Sequence, residues 1–244
     1  MLIDTHCHLH DREFFTEEQA EEMLARAKSK GVEKIICIGT SHQDSLVARD
    51  FAKEHKDVYW TYGIHPEGAT SEGATEISFS PDLKPIAIGE VGLDYHYEGY
   101  NRKAQIRLLE EFLQLAVDYD LPVSFHVREA YQDFLPIVKN FTQVRGVVHS
   151  FTDSKKVLKR VLEETEFFIG VNGLATYSTL PTPPIERILL ETDAPFLTPT
   201  PFRGIINEPA YVGEVANWLA SKLGLDHKDI EKETTKNARE LFRI

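Results

Sequence analysis

Eight apolar runs of strand length recur along this chain, most of them separated by helix-patterned stretches, and that rhythm constrains the fold more than any other feature. Strands are predicted at Leu2–Thr5, Val32–Ile38, Val58–Gly63, Pro85–Glu90, Pro122–His126, Gly146–His149, Phe167–Val171 and Arg187–Thr192. Four of these segments, KIICIG, PIAIGE, RGVVHS and RILLET, are almost continuously apolar. A strand with one wet face would alternate polar with apolar residues. Continuous runs suit a parallel sheet covered on both faces. Helices are predicted at Thr16–Lys30, Ser41–His55, Asn101–Tyr119, Glu129–Asn140, Ser154–Glu164, Glu208–Leu223 and Asp226–Leu241. Thr16 and Ser41 offer capping hydroxyls, and Gly31 stops the first helix. Strands interleaved with helices imply a closed (β/α)₈ TIM-like barrel, with an open doubly wound sheet as the competing arrangement. Asn172–Glu186 holds Pro181, Pro183 and Pro184, so no full helix is expected there. The barrel should be distorted or shortened between its seventh and eighth strands. Glu67–Ser80 reads as a loop.

At 244 residues the chain suits a single barrel domain spanning 1–244. It has no apolar run long enough to span a membrane and no signal-peptide pattern at MLIDTHCHLHD. Only Cys7 and Cys37 are present, which suggests a reducing, cytoplasmic setting over a disulfide scaffold. A net charge of −12 argues against a protein that coats nucleic acid with a basic face. A polyanion would have to be gripped locally, and bound cations do that well. Nothing in the pattern sets an oligomeric state.

The chemistry sits at strand ends. His6 and His8 flank Cys7 at the end of the first strand; period two puts both imidazoles on one face and turns Cys7 away. Glu90, His126 and His149 end the fourth, fifth and sixth strands, and Asp193 directly follows the eighth. In a barrel all these ends meet on the active face. A lone strand-end histidine is ordinarily a hydrogen-bonded structural group, but coincidence over five strands is a different matter. A glutamate ending an apolar strand needs a cation or hydrogen bonds to offset its burial. Mixed imidazole and carboxylate donors suit Zn²⁺, Mn²⁺, Co²⁺ or Mg²⁺. Six ligands exceed one tetrahedral ion and suit two divalent metal ions bridged by a carboxylate, for which Glu90 is the candidate. Asp193 could bind one metal and serve as general base.

Other residues border this face. His65, in GIHP, either caps its loop or donates to a phosphate. Arg128 either clamps a phosphate through its planar fork or pairs with Glu129 or Asp133. Arg203 and Asn207 follow the eighth strand and are candidates for the same mouth. Asp94 and Glu191 are placed to accept from ligand histidines or to organise their loops. Tyr95, Tyr97 and Tyr100 offer base-stacking surfaces, although loop packing explains them as well.

The segments LIDTHCHL, YGIHP, AIGEVGLDY, PVSFHVREA, GVVHSF, LLETDAPFLTP and RG–NEPAYV together resemble the TatD family of metal-dependent deoxyribonucleases, within the amidohydrolase-like barrels. The resemblance spans nearly the whole chain in the family's order. It implies a TIM-like barrel that hydrolyses phosphodiester bonds with divalent metals (Mg²⁺, Mn²⁺ or Zn²⁺), often as a 3′–5′ exonuclease on single-stranded or damaged DNA. It further implies that His6, His8, Glu90 and Asp193 hold one metal, that Glu90, His126 and His149 hold the other, and that His65, Arg128 and Arg203 lie near the substrate phosphate. The chain departs from the family at His10, where Asp or Asn is usual, and at Ile205 and Ile206, where a basic residue is common. His10 also falls in period two with His6 and His8, which makes it a competing ligand. The stretch before ILLETD is shorter than the family pattern.

Two further readings compete with a nuclease. The same barrel could act on an ester or amide such as a D-aminoacyl-tRNA, its metals polarising a carbonyl in place of a phosphoryl oxygen. A binding protein that merely kept the barrel is disfavoured by six intact ligand positions.

Overall fold

The computed structural model describes residues 1–69, 77 and 79–244. Eight parallel strands follow one another around a single sheet in chain order: β1 (Leu2–Cys7), β2 (Val32–Cys37), β3 (Val58–Tyr62), β4 (Ala87–Asp94), β5 (Val123–Arg128), β6 (Gly146–Val148), β7 (Phe168–Val171) and β8 (Ile188–Leu190). All seven successive pairings are parallel. This is the TIM-like barrel expected from the apolar runs. Helices α1 (Glu17–Ser29), α2 (His42–Glu54), α3 (Arg102–Asp118), α4 (Tyr131–Val138) and α5 (Lys155–Glu164) connect strands, and α6 (Val212–Leu223) and α7 (His227–Phe242) close the chain. Thr16 and Gln19 form a reciprocal capping box at the start of α1, and the Ser41 hydroxyl accepts from the Asp44 amide at the start of α2. No helix among the described residues is long and apolar enough to cross a membrane.

The link from β7 to β8 contains two 3₁₀ turns, Gly173–Thr176 and Ile185–Arg187, and no α-helix, as its prolines foretell. Most of the stretch read as a loop between Glu67 and Ser80 lies outside the described residues. Three boundaries differ from expectation in a way that matters. Glu90 and His126 do not end their strands. β4 runs on to Asp94 and β5 to Arg128, and their pairing shifts register between Ile88 and Val91. Gly92 permits that extension: a Cβ there would stand 1.8 Å from the His126 carbonyl oxygen. α6 starts at Val212 and not at Glu208, because Pro209–Tyr211 first forms a 3₁₀ turn.

At the foot of the barrel Ile3, Ile36, Ala87, Val147 and Leu189 pack in one buried cluster with Ala238, Leu241 and Phe242 of α7. The C-terminal helix thus covers the end opposite the strand C-termini. The ring closes between β1 and β8 through side chains as well as main chain. The Thr5 hydroxyl donates to the Leu190 carbonyl at 3.0 Å, and the Asp193 amide donates to the His6 carbonyl at 2.8 Å. Buried Asp4 accepts from the Thr192 amide at 2.9 Å and lies 2.6 Å from the Thr192 hydroxyl.

Burial pushes the Asp4 carboxyl up from its ordinary 3.8 to about 8, against the lowering effect of Thr192. A carboxyl raised in the folded state takes up a proton on folding between those values, so its contribution to stability declines as pH rises through that window. Asp4→Asn keeps an acceptor for the Thr192 amide and abolishes the titration. In thermal unfolding, Asp4→Asn should gain on the parent protein as pH rises from about 4 to 8; a gap independent of pH would contradict this account.

Candidate metal centre

The strand C-termini open into a cavity of about 1020 Å³ whose wall includes His8, His65, Glu90, His126, His149 and Asp193. His6 lies beneath them, buried. His6 and His8 share one side, their ring centroids 5.3 Å apart, and Cys7 between them is a buried free thiol in the core. His8 Nδ1 lies 3.1 Å from the Ile38 carbonyl. A carbonyl only accepts, so Nδ1 carries the proton and Nε2 presents its lone pair to the cavity. That Nε2 is 3.6 Å from Asp193 Oδ1.

His6 Nε2 stands 3.5 Å from Glu90 Oε2 and 3.6 Å from Asp193 Oδ1, yet it is a buried nitrogen without a hydrogen-bond partner. The His149 ring stacks on His6 with centroids 3.4 Å apart and planes 14° from parallel. Its Nε2 points to the same place, 3.9 Å from Glu90 Oε1 and 3.7 Å from Asp193 Oδ1, while its Nδ1 faces Glu191 Oε1 at 3.0 Å. Glu191 is itself held by the Ser150 amide and the Asn172 side chain. Gly170 makes room for it, since a Cβ there would meet the Glu191 carboxylate at 2.3 Å. His126 Nε2 is 2.8 Å from Asp94 Oδ2, and its Nδ1 is 2.9 Å from Glu90 Oε1. Asp94 and Glu191 therefore back His126 and His149 with a carboxylate on the nitrogen facing away from Glu90. Such an arrangement fixes ring orientation and raises donor strength in metal sites.

Three sets of donor atoms lie within 4.8 Å of one another: His6, His149 and Asp193; His6, His8 and Glu90; His65, Glu90 and His126. Glu90 belongs to two of them, with one oxygen toward His6 and the other toward His126. All donors are nitrogen or oxygen, and the orphaned His6 Nε2 is aimed into the middle. These residues fit divalent cations.

The electrostatics point the same way. Burial, then the neighbouring His149, lower the affinity of His6 for a proton. Burial also opposes protonation of His149, but Glu191 and Asp193 outweigh it and raise the ring to about 10. His126 rises to about 9 because Asp94 and Glu90 outweigh burial. Glu90 and Asp193 are held below the ordinary carboxylate range: burial resists, and the surrounding imidazoles prevail. The cluster of carboxylates demands positive charge, which protons supply to some of the rings and cations would supply to all. Asp193 adopts φ 60°, a left-handed conformation that aspartate tolerates better than most residues.

The remaining sequence candidates separate. His10 turns away from the cavity to Asp44, its Nε2 3.0 Å from Oδ1, and does not compete as a ligand. Arg128 lies on the cavity wall; the acids that could have occupied it are taken, Asp133 by Arg102 and Glu129 by His96. Its guanidinium sits 5.2 Å over the Tyr97 ring. Arg203 is absent from the described lining residues and stacks 3.7 Å over Tyr177. Buried Asn207 pins its loop by donating to the Thr192 and Phe196 carbonyls. Tyr95 and Tyr100 stack on each other at 4.6 Å, which is loop packing. Sequence reasoning missed the entry of His65 into a donor set, for which GIHP gave no sign, and the aromatic wall formed by Phe14 and Phe196.

The sequence profile of the TatD related DNase family matches residues 3–243. The chain belongs to the TatD family. The metal-dependent hydrolase YabD of Bacillus subtilis is 35% identical over 257 aligned positions, covering 100% of both chains. The 3′-5′ ssDNA/RNA exonuclease TatD of Erwinia tasmaniensis is 31% identical, covering 92% of this chain and 93% of its own. Among solved structures, the TatD homologue YjjV of Escherichia coli superposes with a TM-score of 0.88 at 29% identity, over 100% of this chain and 98% of that one. This TatD-family protein is accordingly a metal-dependent hydrolase.

Bound cations should stabilise this TatD-family barrel by mass action, by about 2.7 kcal/mol at a hundredfold excess over Kd. Thermal unfolding with Mn²⁺ or Zn²⁺ should show that shift, and chelation should reverse it. Glu191→Gln, which weakens the hold on His149, should lower metal affinity about 10- to 100-fold by calorimetry; unaltered affinity would leave Glu191 a purely structural acid.

Proposed function

We propose that this chain, acting as one domain, is a 3′–5′ exonuclease on single-stranded DNA that uses two divalent metal ions. The observation that carries the reading is Glu90 facing opposite histidines with its two oxygens, as a bridging carboxylate would. His6, His8, Glu90 and Asp193 would hold one ion, and Glu90, His126 and His149 the other. Bound ions would supply an acidified water and offset charge on the phosphoryl oxygen.

The chain's own groups do the rest. Asp193, kept ionised by the imidazoles around it, accepts the proton of the attacking water. His65 Nδ1 accepts from the Glu67 amide, so its Nε2 carries the hydrogen, and that nitrogen lies 3.3 Å from His126 Nδ1. Once His126 Nδ1 is engaged as a ligand, that N–H is free for a phosphate oxygen. His65 is thus better suited to substrate than to metal, and burial lowers it to about 4, which keeps it neutral. Arg128 follows His126 by two on β5 and brings a planar fork to the same wall. Support for nucleic acid as substrate comes from the exonuclease relative at 31% identity.

The test is digestion of 3′-end-labelled single-stranded DNA beside an aminoacyl-tRNA deacylation assay. Nucleotides should be released from the 3′ end, EDTA should abolish release, and Mg²⁺, Mn²⁺ or Zn²⁺ should restore it. Deacylation without nucleotide release would move the reading to the ester. Asp193→Asn should fold normally and lose about 10²- to 10⁴-fold in kcat. Arg128→Ala should raise KM about tenfold, the loss of one charge-assisted hydrogen bond; an unchanged KM would remove Arg128 from the phosphate.

A further inference from the structure

We propose that the exposed rings of Phe14 and Phe196 form a stacking platform for a nucleobase beside the scissile phosphate, and that the substrate is therefore a short single-stranded nucleotide end held by one phosphate and one ring. The proposal rests on the nuclease reading above and narrows it.

Charge is the first reason. Asp11, Glu67, Glu90, Asp94 and Asp193 line the cavity, and Arg128 is the one arginine or lysine among its described lining residues. Two divalent ions and Arg128 would just balance those carboxylates. Little positive charge would remain for a row of phosphates, in a chain of net charge −12. Arg203 adds nothing at the wall, being stacked on Tyr177. Where a basic track would serve a long polyanion, the loop after β8 instead presents Ile205 and Ile206, 55% and 57% exposed.

Aromatic surface is the second. Phe14 and Phe196 are 44% and 46% exposed and both line the cavity. They meet edge to face with centroids 5.2 Å apart at 82°, and the Phe196 ring lies 6.4 Å from that of His8. Neither ring is on a loose tether. Phe15, buried next to Phe14, anchors that turn, and the amides of Phe14 and Phe15 both donate to the Asp11 carbonyl. The Phe196 amide donates to the Asp193 carbonyl, and Asn207 donates to the Phe196 carbonyl. Set edge to face, the two fixed, wet rings leave the face of one of them open to a base at small entropic cost, with Phe196 beside the candidate ligand His8. A base in a duplex is already stacked and paired and must first be pulled free. A single-stranded end is not.

The experiment compares a thymidine dinucleotide with its abasic counterparts, in which one base is replaced by hydrogen, using metal-loaded parent protein and the variant Phe14→Ala/Phe196→Ala. Circular dichroism and the melting temperature establish that both are folded. The parent should prefer the intact dinucleotide by about tenfold in kcat/KM, and the variant should lose that preference. Binding of a 2-aminopurine dinucleotide should quench its fluorescence with the parent and not with the variant. Over increasing salt, log KM for an oligonucleotide should rise with log concentration with a slope of about 0.7, that of a single phosphate. A variant that keeps the full preference would overturn the platform, and a slope worth several phosphates would overturn the hold by one phosphate, each while leaving the nuclease intact. Quenching by the parent alone, with no nucleotide hydrolysed, would sink the nuclease reading and keep the platform.

Discussion

Closure of the sheet between β1 and β8 is the constraint on which the rest of this molecule depends. The main-chain bond from the Asp193 amide to the His6 carbonyl, and a second from the His8 amide to the Ala194 carbonyl, tie the two ends of the strand order directly through the metal-binding candidates. Asp4 and Thr192 complete the join one layer below. Residues separated by almost two hundred positions are thereby held at ligand distance. In an open sheet of the same strand order, β1 and β8 would lie on opposite edges, and His6 could not meet Asp193.

That closure creates an electrostatic problem that only a cation resolves well. Glu90 is buried and Asp193 partly buried, each with three imidazoles close around it, and Glu191 and Asp94 add negative charge behind two of the rings. Protons satisfy the cluster in part, since stacked His6 and His149 repel a second proton. A divalent ion would deliver more charge with no such conflict and would engage the Nε2 of His6 that finds no other partner. The backing carboxylates would then do two things at once: fix which nitrogen faces the ion, and make that nitrogen a stronger donor.

The mouth around this centre is designed on a different principle. Its cation is scarce, and Arg128 rests on Tyr97, where a guanidinium is steadied without being neutralised. Its apolar rings stand in water. In the proposed nuclease the metal centre would supply the pull on a phosphate, and the rim would supply shape for what the phosphate carries. Fixed rings on short, well-bonded turns restrict what can be placed there more than a field of flexible lysines would.

Some of this was legible in the residues alone. Apolar runs fixed the parallel sheet, because burial on both faces leaves no room for alternation, and period two fixed the shared face of His6 and His8. Prolines in Asn172–Glu186 were enough to exclude a seventh connecting helix. Local pattern also picked out Glu90, His126, His149 and Asp193, since acids and imidazoles beside apolar strands are costly without a partner. Tertiary structure alone decided the rest. The extension of β4 and β5 depends on Gly92 meeting the His126 carbonyl, and the dismissal of His10 on Asp44 arriving from α2. Arg128 ends β5 and Arg203 follows β8 with the same charge, yet one lines the cavity beside Tyr97 and the other is stacked on Tyr177 away from it. A sequence records which side chains need a partner; which partner each one finds is settled by strands and loops far apart in the chain, when the barrel closes.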